Sequence, residues 1–81
     1  MFSEISLYDL KDGACGRVTC LNISGGMRRR LQDIGLIEGT KVRCLMHSPS
    51  GDPAAFLIRG AVIALRSEDS SRILIRPENY A

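Results

Sequence analysis

Gly25-Gly26-Met27-Arg28-Arg29-Arg30-Leu31-Gln32-Asp33-Ile34-Gly35-Leu36-Ile37-Glu38-Gly39-Thr40 reads as one short helix, its stop signal and a turn that launches a strand. Met27, Leu31 and Ile34 recur at i, i+4 and i+7, which places them on one helical face. Ser24 or Gly25 is suited to the N-cap. Gly35 follows the last periodic residue, where a left-handed residue ends a helix without a Cβ penalty. Leu36 then supplies the apolar contact that folds back on such a cap. Arg28, Arg29 and Arg30 occupy the first turn, where the macrodipole disfavours positive charge. Successive helical residues are about 100° apart, so the three diverge. One is expected to pack its stem and the others to form a basic face for solvent or for an acidic partner.

Working outward, the flanks read as strands. Residues 14–23 alternate Ala14, Gly16, Val18 and Cys20 on an inner face against Cys15, Arg17, Thr19 and Leu21. Gly16 suits a close backbone approach. Residues 41–48 place Val42, Cys44 and Met46 inside, with Lys41, Arg43 and His47 outside. Residues 54–59 bury Phe56 and Ile58. Residues 61–66 are almost wholly apolar, as a buried strand would be, and residues 73–76 form the last strand, which Pro77 is expected to end. Leu21, Leu45 and Leu57 fall on outward faces, where they form either a second packed layer or a contact patch.

Between these lie the connections. Residues 3–12 look like an arm with one helical turn capped by Ser6, closed by Lys11-Asp12-Gly13. Ser48-Pro49-Ser50-Gly51-Asp52-Pro53 is the strongest turn cluster, either a strand connection or a projecting partner loop. Gly60 permits a sharp reversal. Ser67 reads as an N-cap followed by the acidic first turn Glu68-Asp69. Residues 79–81 read as a short tail. About five short strands, one helix and one or two helical turns describe a small, mainly β barrel.

Eighty-one residues make one domain, 1–81, too small for a large enclosed active site. The hydrophobic fraction of 44% suits a folded chain. The net charge of +2 and the lack of interleaved aromatics argue against a nucleic-acid binder. Scarce aromatics and no tryptophan argue against a proline-peptide groove. Residues 1–4 carry no basic leader pattern and no apolar run approaches a membrane span, so a cytoplasmic protein without membrane insertion is expected.

Cys15, Cys20 and Cys44 are odd in number and match no C-x-x-C site, and His47 reads as a lone solvated side chain. No metal ligand, cofactor or catalytic residue is therefore assigned, metal binding by Cys15, Cys20, Cys44 or His47 stays open, and no enzyme is expected. Gly25-Gly26 before the helix lacks the surrounding phosphate-loop pattern.

The ordered motifs resemble a known family. Residues 29–40 are similar to the "R-L-x-D-L-G-L-x-P-G" segment of the ferrous iron transport protein A (FeoA) domain. Leu7, Leu10, Gly13, Gly16 and Val18 match its opening glycine pattern, residues 48–53 its "x-P-x-G-D-P" loop, Arg59-Gly60 and Ala64-Leu65-Arg66 its "G-x-x-I-A-L-R" strand, and Ile73 and Ile75 its closing strand. Ile34 and Glu38 depart mildly from the pattern. Ser70 and Ser71 stand where alanine is common, which suggests a looser or more exposed turn. The resemblance implies an SH3-like barrel and a small cytosolic accessory to the FeoB-type ferrous iron transporter, acting on its assembly or activity through the G-protein domain or other cytosolic parts. Association with the membrane would then come through the transporter; a weak homo-oligomer stays open. A regulatory or nucleic-acid-associated module, like the SH3-like domain of iron-dependent repressors, is the alternative. The residues assigned to partner contact are Arg28, Arg29, Arg30, Pro49, Gly51, Asp52 and Pro53.

Overall fold

A computed structural model describes residues 4–78. The parts of the expected arm and tail at residues 1–3 and 79–81 lie outside the described residues. Six strands form one antiparallel sheet: β1 (Ile5–Ser6), β2 (Cys15–Leu21), β3 (Lys41–His47), β4 (Ala54–Ile58), β5 (Ala61–Leu65) and β6 (Ile73–Glu78), in the order β1-β6-β2-β3-β4-β5. A 3₁₀ turn at Leu7–Asp9 follows β1, α1 (Gly25–Asp33) links β2 to β3, and α2 (Ser67–Ser70) links β5 to β6. The extra strand is β1, residues 5–6 of the expected arm, which pairs with β6 through Ile5–Ile75 and Ser6–Leu74.

The sheet wraps one apolar cluster. Leu7, Leu31, Leu36, Val42, Cys44, Phe56, Ile58, Ile73 and Ile75 meet in it, with Leu10 and Val18 close behind. The helix takes part through Leu31, with Met27 and Ile34 packed beside it, the face its spacing indicated. Its end is a Schellman motif. Gly35 lies at φ +93°, its N–H donates to the Gln32 carbonyl at 3.0 Å, and the Leu36 N–H donates to the Leu31 carbonyl at 2.9 Å. At the other end Ser24 stands at the N-cap, but its hydroxyl makes no capping bond.

Two bulges change the side-chain faces. A register shift between Val18 and Cys20 sends Leu21 inward, where it is buried, rather than outward as simple alternation gives. A second shift lies between Cys44 and Met46, which pair with Phe56 and Ala55 respectively. Leu45 is the unpaired extra residue, Met46 turns out to 54% exposure, and His47 turns in, half-buried, on the side of Cys44.

Three more expectations are corrected. The apolar run 61–66 is not a buried strand, because β5 is a sheet edge with Ala61, Val62 and Ala64 exposed. Pro77 does not end the pairing of β6; it sits opposite Gly16, and Glu78 opposite Cys15. Ser70 is not loosely exposed: it is fully buried, and its Oγ donates to the Arg66 carbonyl at 3.2 Å. The cap of α2 also comes from elsewhere in sequence. Asp52 accepts from the Ser67 N–H at 2.7 Å and from the Ser67 Oγ at 3.1 Å, so Ser67 is the capped residue and not the cap.

Two glycines are fixed by geometry. A Cβ on Gly16 would lie 2.8 Å from Ile75 Cδ1 and 3.0 Å from the Arg76 carbonyl oxygen, and one on Gly35 would overlap the Arg59 side chain. Gly35 also carries the left-handed conformation, which costs an L-residue about 1–2 kcal/mol. Gly35→Ala is expected to lower the unfolding free energy by at least that amount in a urea melt, and Gly39→Ala, which meets no atom within 4 Å, by the conformational cost alone.

Candidate functional site

The arginines of α1 divide by role. Arg28 is half-buried, and its Nη1 donates to the carbonyls of Leu21 at 2.7 Å and Ile23 at 3.2 Å. It ties the helix to the end of β2 and is the packed member of the trio. Arg29 and Arg30 are exposed.

The loop 48–53 divides likewise. Gly51 adopts φ +91°, and its carbonyl accepts from Tyr8 Oη at 3.0 Å. Asp52 caps α2 as described. Pro49 and Pro53 are exposed. The loop is thus fastened to the 3₁₀ turn and α2, and α1 to β2; the two halves of the expected contact surface have separate anchors.

A third feature was not read from sequence. A groove of about 530 Å³ runs across β2, β3 and the β4–β5 turn, with Arg17, Lys41, Arg43 and Arg59 on its walls and Cys15 and Leu57 among its lining. Its charge arises from register. Arg17 faces Lys41 on β3 and Arg76 on β6, so three cationic side chains stand in one row across adjacent strands, and the directly opposed Arg17 and Lys41 repel. Glu78 relieves part of this repulsion by accepting from Arg17 Nε at 2.8 Å, and Arg17 Nη1 also reaches the Gly39 carbonyl at 3.0 Å. Arg43 Nε donates to Cys15 Sγ at 3.2 Å. Arg59 and Gly60 both have positive φ, 50° and 85°. They make the two-residue reversal between β4 and β5 that fits a primed hairpin turn and set the Arg59 side chain over Gly35, at the negative end of α1. Only the strand pairing reveals this row, because its members lie 24 and 35 positions apart along the chain.

The other polar constellation lies beside the loop ending in Gly13. His47 Nδ1 is 2.7 Å from Asp12 Oδ1, and its Nε2 is 3.0 Å from the Tyr8 carbonyl oxygen. Cys44 Sγ is 3.8 Å from both His47 Nδ1 and Asp12 Oδ1. The expectation of a lone solvated histidine fails here, because the bulge at Leu45 turns His47 onto the face of Cys44. Asp12 and the Tyr8 carbonyl raise the His47 pKa above its ordinary 6.5, against a smaller opposing effect of burial. Burial, then the Asp12 charge and its hydrogen bond, push the Cys44 thiol up from 9.0 to about 11.

These features belong to a small SH3-like β-barrel with one helix seated against it. A FeoA domain model matches residues 5–77, and the chain belongs to the FeoA family, which is implicated in ferrous iron transport. It is similar to the FeoA protein from Chlorobium tepidum, with 32% identity and a TM-score of 0.86 over 90% of this chain and 70% of that one. The FeoA of Stenotrophomonas maltophilia, a prokaryotic SH3 domain protein, shares the fold at 23% identity, with a TM-score of 0.77 over 88% of each chain. A manganese-dependent transcriptional repressor shares it at 21% identity, with a TM-score of 0.83 over 93% of this chain and 41% of that one. No curated protein matches the sequence. No helix among the described residues is long and apolar enough to cross a membrane.

The His47 pair has a pH signature. Its pKa is higher folded than unfolded, so its stabilisation is complete below about pH 6.5 and is lost as pH rises through the folded value. The unfolding free energy of the wild type is expected to fall as pH rises above about 6.5, while that of Asp12→Asn falls less over the same range. Urea midpoints at several pH values check this; parallel curves for the two proteins would contradict it.

Proposed function

We propose that this chain is a small cytoplasmic accessory protein of ferrous iron uptake, which binds cytosolic parts of a FeoB-type transporter and modulates its assembly or activity. The observation that carries the reading is the FeoA match across residues 5–77. For the S. maltophilia relative a role as a bacterial ferrous iron transport activating factor has been suggested, which agrees with an accessory role. The reading assigns no turnover to the chain.

The contact surface in this reading is basic. Arg29 and Arg30 are exposed, but not in the first turn expected from sequence: α1 starts at Gly25, and Arg30 stands in its last turn, where the dipole favours a cation. Across β2 and β3, Lys41 stands directly opposite Arg17 on the groove wall. Exposed basic charge on α1 and along the groove suits an anionic surface on the partner, which also speeds encounter. Pro49 and Pro53 border the partner in this reading, while Arg28, Gly51 and Asp52 support the surface from beneath. The fold is shared with a transcriptional repressor, so fold alone does not assign the role.

Pull-down against full-length FeoB and its isolated G-domain, with and without GTP, tests the proposal. Capture by at least one form is expected; capture by neither overturns it. Arg29→Glu with Arg30→Glu is expected to weaken capture at least tenfold with the urea midpoint nearly unchanged. Lys41→Glu with Arg59→Glu is expected to weaken capture at least tenfold as well, with a urea midpoint shifted by relief of the Lys41–Arg17 repulsion and by loss of the Arg59 cation from the end of α1. If both double variants bind as the wild type does, the basic surface is not the contact.

A further inference from the structure

We propose that Asp12, Cys44 and His47 form a binding site for one divalent transition-metal ion of the iron-to-zinc series. The three ligand atoms, Asp12 Oδ1, Cys44 Sγ and His47 Nδ1, all lie within 4.8 Å of one another.

The separations suit a small ion. Bonds of about 2.0–2.3 Å at tetrahedral angles set ligand atoms roughly 3.3–3.6 Å apart. The triangle here has sides of 2.7, 3.8 and 3.8 Å. A point at its centre is about 2.0 Å from all three atoms, within the range of such bonds. Loading needs only shifts of a few tenths of an ångström, with Asp12 and His47 parting and Cys44 closing in.

The histidine is already set for the task. A backbone carbonyl only accepts, so His47 Nε2 carries a hydrogen toward Tyr8 at 3.0 Å. That leaves Nδ1 facing Asp12 and Cys44. With Nδ1 unprotonated, its lone pair faces a carboxylate oxygen at 2.7 Å, so this point calls for a cation, either a proton or a metal. A carbonyl on the far ring nitrogen is also the usual support for a ligating histidine. The Tyr8 ring fixes the imidazole from the side, edge to face at 5.5 Å and 90°.

The other ligands are held too. The Gly13 N–H donates to the Cys44 carbonyl at 2.6 Å, and the Cys44 N–H to the Ala14 carbonyl at 2.9 Å. These bonds clamp the loop bearing Asp12 against β3. Cys44 is fully buried, while the Asp12 side chain is 61% exposed. The site therefore has a closed sulfur end and a wet carboxylate end, through which an ion can enter and where water or a further ligand completes its shell.

Thiolate, imidazole and carboxylate together suit borderline ions over calcium or magnesium. Loading exchanges protons for metal: M²⁺ replaces the proton of the Cys44 thiol and that on His47 Nδ1, both pass to solvent, and Asp12 stays ionised. The site is independent of the partner-binding reading, since it uses none of the same side chains.

Titration of the full chain with Co²⁺, followed by Zn²⁺ competition, tests the site. One equivalent is expected, with a thiolate-to-cobalt charge-transfer band that Zn²⁺ abolishes. Asp12→Asn and His47→Gln are each expected to weaken binding at least tenfold, and Cys44→Ser to remove the band. Asp12 is exposed and His47 lies at the rim, so those two variants decide the matter should Cys44→Ser fail to fold. The proposal is overturned by absence of the band, by unchanged affinity in both rim variants, or by a band that survives Cys44→Ser and is lost in Cys20→Ser.

Discussion

The connection from Ile34 to Thr40 holds the molecule in register. Two backbone bonds close the helix at Gly35, and Thr40 locks the turn beyond it. The buried Thr40 Oγ1 donates to the Gly35 carbonyl at 3.0 Å and accepts from the Ile37 N–H at 3.1 Å, while the Thr40 N–H donates to the Ile37 carbonyl at 3.0 Å. The same turn joins the sheet at once: the Gly39 N–H donates to the Val18 carbonyl and the Val18 N–H to the Thr40 carbonyl, at 2.7 and 3.0 Å. One short passage thereby sets the seat of α1, the start of β3 and the pairing of β3 with β2. The cationic groove inherits its shape from this passage, because Gly39, Thr40 and Lys41 line it.

Much of this was legible in sequence for a local reason. A helix period, a glycine after it and a Pro/Gly/Asp loop each act within a few residues, and Leu31, Gly35 and the reversal at Gly60 came out as their chemistry requires. Gly16 was legible as well, since a lone glycine in a strand marks close approach. The failures are equally specific. A bulge costs one residue of register and leaves little local signal, so Leu21, Met46 and His47 each appeared on the wrong face. The run Ala61–Leu65 looked buried because composition cannot tell a central strand from an edge. Arg28 was expected as one of three, and only the carbonyls at the end of β2 single it out.

The bulge in β3 links sequence to chemistry. Without Leu45 as an extra residue, Cys44 and His47 would lie on opposite faces, three positions apart. With it, sulfur and imidazole share a face, and the Asp12 loop closes over them. A register shift of this kind is a common way to aim a side chain. Here it separates two polar systems within one strand: the cations Lys41 and Arg43 point to the groove, while Cys44 and His47 face Asp12.

The closure between the two ends of the sheet has a different character from the ladders beside it. β1 and β5 are the edges, and what spans them is the contact of the 3₁₀ turn with α2, reinforced by Tyr8 to Gly51 and Asp52 to Ser67. Those are side-chain bonds to loops, not paired strands. The barrel is therefore a sheet with a stitched seam, and the stitches come from the proline-bearing loop. Anything that grips that loop also grips the seam, which couples an event at the surface to how tightly the two edges of the sheet are held together.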